Sequence, residues 1–319
     1  MKQSFLLFFA VVHAVFGDLT ELPIPTLQNI ELSDPTFSSL ELPPAPELPK
    51  MKSPLLAATL SILIPGLGHV YLGEYGTASK LFGASTFSAG VGVSLAQDPT
   101  SSDESHFLTI SSCTWSYGIY AAYRDARLHN GSGYYTYVMP KEDFSDLAFA
   151  PVQWGVLKKP EVWGGFLGAM TLAAGISYFA YSNAPDAKVA LSSSSSFTPL
   201  IAWPVGIGEE SLFRGFLQST FSESLTPLGG IALSSLLFGA AHIPNALLLP
   251  KQERNQYYAI SLPFITALGS YMGWMTYKNH SLQESTALHV WYDFTLFAIE
   301  AAANKASTGR TDLQFSFSF

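Results

Sequence analysis

The sequence predicts an all-α, polytopic membrane protein of about eight transmembrane helices, and three observations carry that prediction. Only 13% of the 319 residues are charged and 48% are hydrophobic, whereas an ordinary soluble domain is roughly 25% charged. Apolar stretches alternate with short polar breaks from Pro54 to near residue 303, each close to the roughly 20 residues that cross a bilayer as a helix. Several stretches are rich in Gly, Ser and Ala, as in FGASTFSAGVGVSLA from Phe82 to Ala96, a composition that suits close helix packing in lipid.

Taken in order, Met1 and Lys2 precede an apolar run from Phe5 to Phe16, and Val15 and Gly17 stand at signal-peptidase spacing before Asp18. Residues 1–17 therefore read as a secretory signal peptide, the run being too short for a bilayer span. Residues 18–53 form a Pro-rich acidic tether, with ELPIP and ELPPAPELP, which holds too little apolar surface to fold alone. The candidate spans are 54–73, 77–96, 107–123, 162–182, 197–217, 227–247, 257–277 and 284–303. They group as an N-terminal membrane domain at 54–130, an aromatic interfacial linker at 131–160, a second membrane domain at 161–303 and a tail at 304–319. Pro65 and its neighbouring glycines should kink the first span. The serine run 192–196 reads as a flexible connection.

The net charge of −8 is spread over tails and loops, which excludes the concentrated basic patch of a nucleic-acid binder. Basic residues are densest between Arg124 and Pro160, so that connection should face the cytoplasm. Lys251 and Arg254 then fall on the outer side, against that orientation. The lone Cys113 can form no internal disulfide and reads as a buried, inert thiol.

Polar groups inside the spans mark the candidate site. Glu209, Glu210 and Arg214 lie in the fifth span, His242 in the sixth, His289 and Asp293 in the eighth. Each ionised group costs at least about 2.5 to 3.5 kcal/mol at membrane depth, so such groups face one another or a wet cavity. Glu210 and Arg214, four apart, meet on one helix face, while Glu209 is turned about 100° away. His289 and Asp293 share a face by the same spacing. A carboxylate base, two imidazoles and a further side-chain oxygen suffice to activate water and stabilise an oxyanion.

Three stretches then carry a resemblance. Glu209-Glu210-Ser-Leu-Phe-Arg214 resembles the EExxxR motif of the CAAX protease and bacteriocin-processing enzyme family, Phe238-Gly-Ala-Ala-His242 its FxxxH motif, and His289-Val-Trp-Tyr-Asp293 its HxxxN/D motif, in the same order. The resemblance covers residues 160–303. It implies an all-helical intramembrane glutamate peptidase without a covalent acyl-enzyme and without a metal cofactor. In that scheme Glu209 is the general base, His242 assists it, and His289 with Asp293 stabilises the oxyanion. Arg214 and Glu210 shape and charge-balance the site, and Phe238 lines it. The prenyl-protease branch carries asparagine where this chain has Asp293, and an ionised aspartate cannot donate a hydrogen bond. Asp293 is therefore protonated, or orients His289, or serves another use.

Two rival readings use the same residues. Glu209, His242, His289 and Asp293 could ligate zinc in a metallopeptidase, although no HExxH spacing is present. Alternatively, the groups line an ion or proton path, or the domain is a non-catalytic binding or immunity protein. The partners expected are membrane lipid and a peptide or protein substrate, lipidated or not, and no nucleic acid. The signal peptide suggests a bacterial inner membrane. In the N-terminal half, Ser61-Ile-Leu-Ile-Pro-Gly-Leu-Gly-His69 with Tyr71-Leu-Gly-Glu74, then Tyr120-Ala-Ala-Tyr-Arg-Asp-Ala-Arg127, resemble a small PGLGQ-type bacterial membrane domain of unknown function. No catalytic role is assigned to His69.

Overall fold

The computed structural model describes residues 50–97, 104–183, 198–249 and 251–307. The expected signal peptide, nearly all of the expected tether, the serine run and residues 308–319 lie outside the described residues. Those described are helical with no strand, as the all-α prediction requires, and from Lys52 onward they belong to one compact unit.

A helix stands at each of the eight expected positions. The first is broken. Ser53 caps α1 (Pro54–Leu63) by accepting the Leu56 amide, and the helix stops where Ile64 turns extended, the conformation that a following proline favours. Gly66 then takes φ +83°, and a Cβ there would lie 2.4 Å from the Ala78 carbonyl oxygen. A short α2 (Leu67–Leu72) leads through Gly73, also left-handed, into α3 (Tyr75–Leu95). The long α4 (Glu104–Asn130) packs on both α1 and α3, with the small residues Ala57, Ala122 and Ala126 forming a buried seam.

After α5 (Pro160–Asn183) comes α6, a single rod in three pieces: α-helix Ala202–Glu210, π-helix Ser211–Gln218 and α-helix Ser219–Ser224. Thr226 caps α7 (Pro227–Ala241). Next is α8, built from Lys251–Gln256, a π-helical Tyr257–Ser261 and Leu262–Asn279. His280, with φ +50°, ends it and turns the chain into α9 (Gln283–Ser307).

Among the described residues, Pro227–Leu247 is the one helix long and apolar enough by itself to cross a membrane, with a mean hydropathy of 1.3. The expected count of eight spans is thus supported for that one helix alone; α4, α6 and α9 carry charged and polar side chains that lower their hydropathy, and Arg124, Arg127, Glu210, Arg214, Glu284 and His289 are buried.

The two halves of the chain are packed together. Gly208 of α6 abuts Cys113 of α4, Gly215 abuts Tyr120, and Tyr123 meets Phe216 edge-on. The connection between α4 and α5, predicted to be interfacial, is pinned to the bundle: Trp203 donates to the Ala148 carbonyl and Trp291 to the Pro151 carbonyl. Glu223 accepts the amides of Thr136 and Tyr137 and pairs with Arg127.

Candidate active site

The site is assembled from α6, α7, α8 and α9. Glu210 and Arg214 are each fully buried and paired, with Arg214 Nη1 donating to Glu210 Oε1 at 2.9 Å. The same guanidinium donates through Nη2 to the Gly269 carbonyl of α8 at 3.0 Å and lies 4.2 Å from the Phe238 ring centroid. One turn on, Gln218 donates to the Gly273 carbonyl at 2.9 Å. Two side chains four apart on α6 thus grip two carbonyls four apart on α8. Glycine is required for that approach: a Cβ on Gly269 would lie 2.9 Å from the Phe238 ring and 3.0 Å from Arg214 Nη2, and one on Gly273 would lie 2.7 Å from Gln218 Oε1.

His289 of α9 closes the arrangement. Its Nδ1 donates to Glu210 Oε1 at 2.8 Å, since the carboxylate can only accept. That fixes the ring so that Nε2 points at two further carboxylates, Asp293 Oδ2 at 3.4 Å and Glu209 Oε2 at 3.8 Å. The two adjacent glutamates therefore differ sharply. Glu210 has both Arg214 and His289 on one oxygen, whereas the Glu209 side chain is 31% exposed with only the longer approach to His289.

His242 stands at the end of α7, where its Nδ1 donates to the Phe238 carbonyl at 2.7 Å and its own carbonyl accepts from Tyr257. The ring stacks at a tilt on Phe238, 4.8 Å between centroids, and Phe238 also meets His289 edge-on. His242 forms no ion pair with either glutamate. Hence the structure brings together Glu209, Glu210, Arg214, His289 and Asp293 directly. Phe238 is the wedge between the two imidazoles, and His242 lies across it. A shallow groove lined by Leu236, Ala240, Ile243, Tyr258 and Leu262 runs between α7 and α8.

Sequence reasoning missed Gln218, Gly269, Gly273 and the π-helical segment. The signal for the first three was present as matched four-residue spacings, Arg214/Gln218 and Gly269/Gly273, but nothing in the sequence said that the two pairs face each other. π-Helical turns occur frequently at functional sites, and this one begins at the residue after Glu210.

The described residues define an all-helical arrangement with a buried Arg–carboxylate–His cluster on two helices, α6 and α9, and one partly open carboxylate. Residues 192–295, which include every residue of that cluster, match the family model described as Type II CAAX prenyl endopeptidase Rce1-like. The match lies in the C-terminal half and contains all three motifs. No curated protein and no solved structure matches the chain.

Proposed function

We propose that this chain is a membrane-embedded glutamate peptidase in which Glu209 is the general base. The observation that carries the reading is the asymmetry of the adjacent glutamates: Glu210 is consumed by Arg214 and His289, while Glu209 keeps an open side. A water held between Glu209 and the free Nε2 of His242 loses its proton to Glu209 as its oxygen attacks the carbonyl carbon of a peptide bond. His289 Nε2, oriented by Glu210 on one edge and Asp293 on the other, presents its proton to the developing oxyanion. In this role Asp293 holds the imidazole rather than donating, which accounts for an aspartate where an amide would donate directly. The carbon–nitrogen bond then breaks, and the proton held by Glu209 passes to the leaving amine, restoring the site.

The family match supports a peptide or protein as substrate. The apolar groove between α7 and α8 suits apolar side chains or an attached lipid on that substrate. A metal is not required by this scheme, and a zinc-bound version of the same residues makes a different prediction. The test is peptide cleavage by the purified full-length protein, wild type against Glu209→Gln, with and without chelator. General-base loss should lower the rate by roughly 10²–10⁴ with unfolding temperature unchanged. Undiminished cleavage by Glu209→Gln rejects the role of Glu209, and activity abolished by chelator in a protein that also lacks the His69 side chain supports zinc at Glu209, His242, His289 and Asp293.

A further inference from the structure

A second cluster of titratable groups lies outside this site, in the N-terminal half. His69 of α2 is completely buried, and its Nε2 is 3.3 Å from Asp125 Oδ2 of α4. Glu74, in the turn between α2 and α3, is brought to the same point, so that one ligand atom from each of the three residues lies within 4.8 Å of the others. Among the described residues, no other trio of His, Cys, Asp or Glu is that tight.

We propose that His69, Glu74 and Asp125 bind a divalent transition-metal ion of the zinc class, which ties the α2–α3 turn to α4. Imidazole nitrogen and carboxylate oxygen are ordinary ligands for such an ion, and in a tetrahedral shell with bonds of about 2.0–2.1 Å two ligand atoms stand about 3.3 Å apart. The His69–Asp125 separation has that value.

A simple ion pair explains less. Arg124 Nε already donates to Asp125 Oδ1 at 2.7 Å, so Asp125 has a permanent cation on one oxygen and no need of a protonated histidine on the other. The arrangement follows local geometry: Gly73 at φ +88° reverses the chain and delivers Glu74, whose amide donates back to the His69 carbonyl at 2.8 Å. Three protein ligands with Glu74 on the exposed side leave a fourth position for water.

The experiment uses the full-length protein purified in detergent, stripped of metal and titrated with zinc chloride by calorimetry, and in parallel with cobalt(II), whose visible absorption reports nitrogen and oxygen ligation. Wild type should take up one saturable equivalent. His69→Asn should abolish it, and Glu74→Gln, a change at an exposed side chain that leaves the fold intact, should weaken it at least about tenfold. Glu209→Gln should bind as wild type does. The proposal is overturned if the folded wild type shows no saturable uptake, or if Glu74→Gln and His69→Asn bind like wild type. It is equally overturned if uptake is lost in Glu209→Gln but kept in His69→Asn, which would place the ion at the other cluster.

Discussion

The molecule contains two clusters built from the same parts, a buried histidine, carboxylates and an arginine, and they differ in where the arginine sits. Around His289, Arg214 is one helical turn from Glu210, and both side chains are 0% exposed. Around His69, Arg124 is the immediate sequence neighbour of Asp125, and the carboxylate keeps 16% of its side-chain surface. In the first, arginine and carboxylate are sealed together and become scaffold. In the second, the arginine neutralises the carboxylate from one side while the other oxygen stays available. The clusters also differ in which carboxylate remains open: Glu209 beside the sealed Glu210, and Glu74 beside the half-sealed Asp125.

The most severe way to break that contrast is Arg214→Met. It strands Glu210 in the interior without its guanidinium partner, and breaking a buried pair costs about 3–5 kcal/mol. It also frees the Gly269 carbonyl. Arg124→Met should cost clearly less, because Asp125 retains some water. Thermal unfolding of the two variants in one detergent measures the difference, and equal losses would mean that burial is not what separates the clusters. Lysine at position 214 would not restore stability, since one ammonium cannot reproduce the planar fork that serves Glu210 and Gly269 at once.

A smaller effect is expected from Gly269→Ala. The new methyl meets the Phe238 ring and Arg214 Nη2, and overpacking of this kind costs typically about 1–3 kcal/mol. Because Arg214 positions Glu210 and Glu210 positions His289, cleavage should fall by more than the loss of stability alone explains. The matching change in the other region is Gly83→Ala in the middle of α3, where a Cβ meets nothing within 4 Å. That variant should be neutral or stabilised by up to about 1 kcal/mol through helix propensity. If both glycines tolerate alanine equally, the α6–α8 grip is not tight.

These two clusters also mark how far the sequence could be read. The helices were legible because apolar periodicity and length are local properties, and the kink at Pro65 was legible because proline and glycine act on their own backbone. The pairing of Glu210 with Arg214 followed from spacing on one helix. The attachment of His289 to Glu210 rather than to Glu209 did not, since the rotation of α9 against α6 is set by tertiary packing, including Val290 against Gly206. Nor did His242, expected beside Glu209, announce that Phe238 would stand between it and His289. The meeting of His69, Glu74 and Asp125 was hidden for the same reason: Asp125 lies 56 residues from His69, and only the docking of α4 on α1 and α3 brings it there. Membrane passage was the least legible, because hydropathy averages over a helix while burial depends on which face a charge occupies.

The least costly way to probe the relation between the regions is the link that joins them. Arg127 extends from the α4 end that carries Asp125, and Glu223 from the α6 rod that carries Glu209. Arg127 Nη2 lies 3.2 Å from Glu223 Oε2, and Glu223 also accepts the amides of Thr136 and Tyr137 and the Thr136 hydroxyl. Burial pushes the Glu223 carboxyl up, but these backbone and hydroxyl donors and the Arg127 charge outweigh it and hold the group below its ordinary value. A carboxylate whose folded value is depressed contributes stability that is present above its unfolded pKa, about 4.3 for glutamate, and that is lost as pH falls through the lower folded value. The link should therefore be intact at neutral pH and weaken only below about pH 4. Since Glu223 is partly solvated, Glu223→Gln should cost no more than about 1 kcal/mol at pH 7. It should also flatten the acid limb of unfolding temperature against pH. The variant should leave zinc uptake at His69 and cleavage at Glu209 unchanged, because neither cluster touches Glu223. A coupled loss of either would mean that the two regions are held in register through this link and cannot be treated as independent sites.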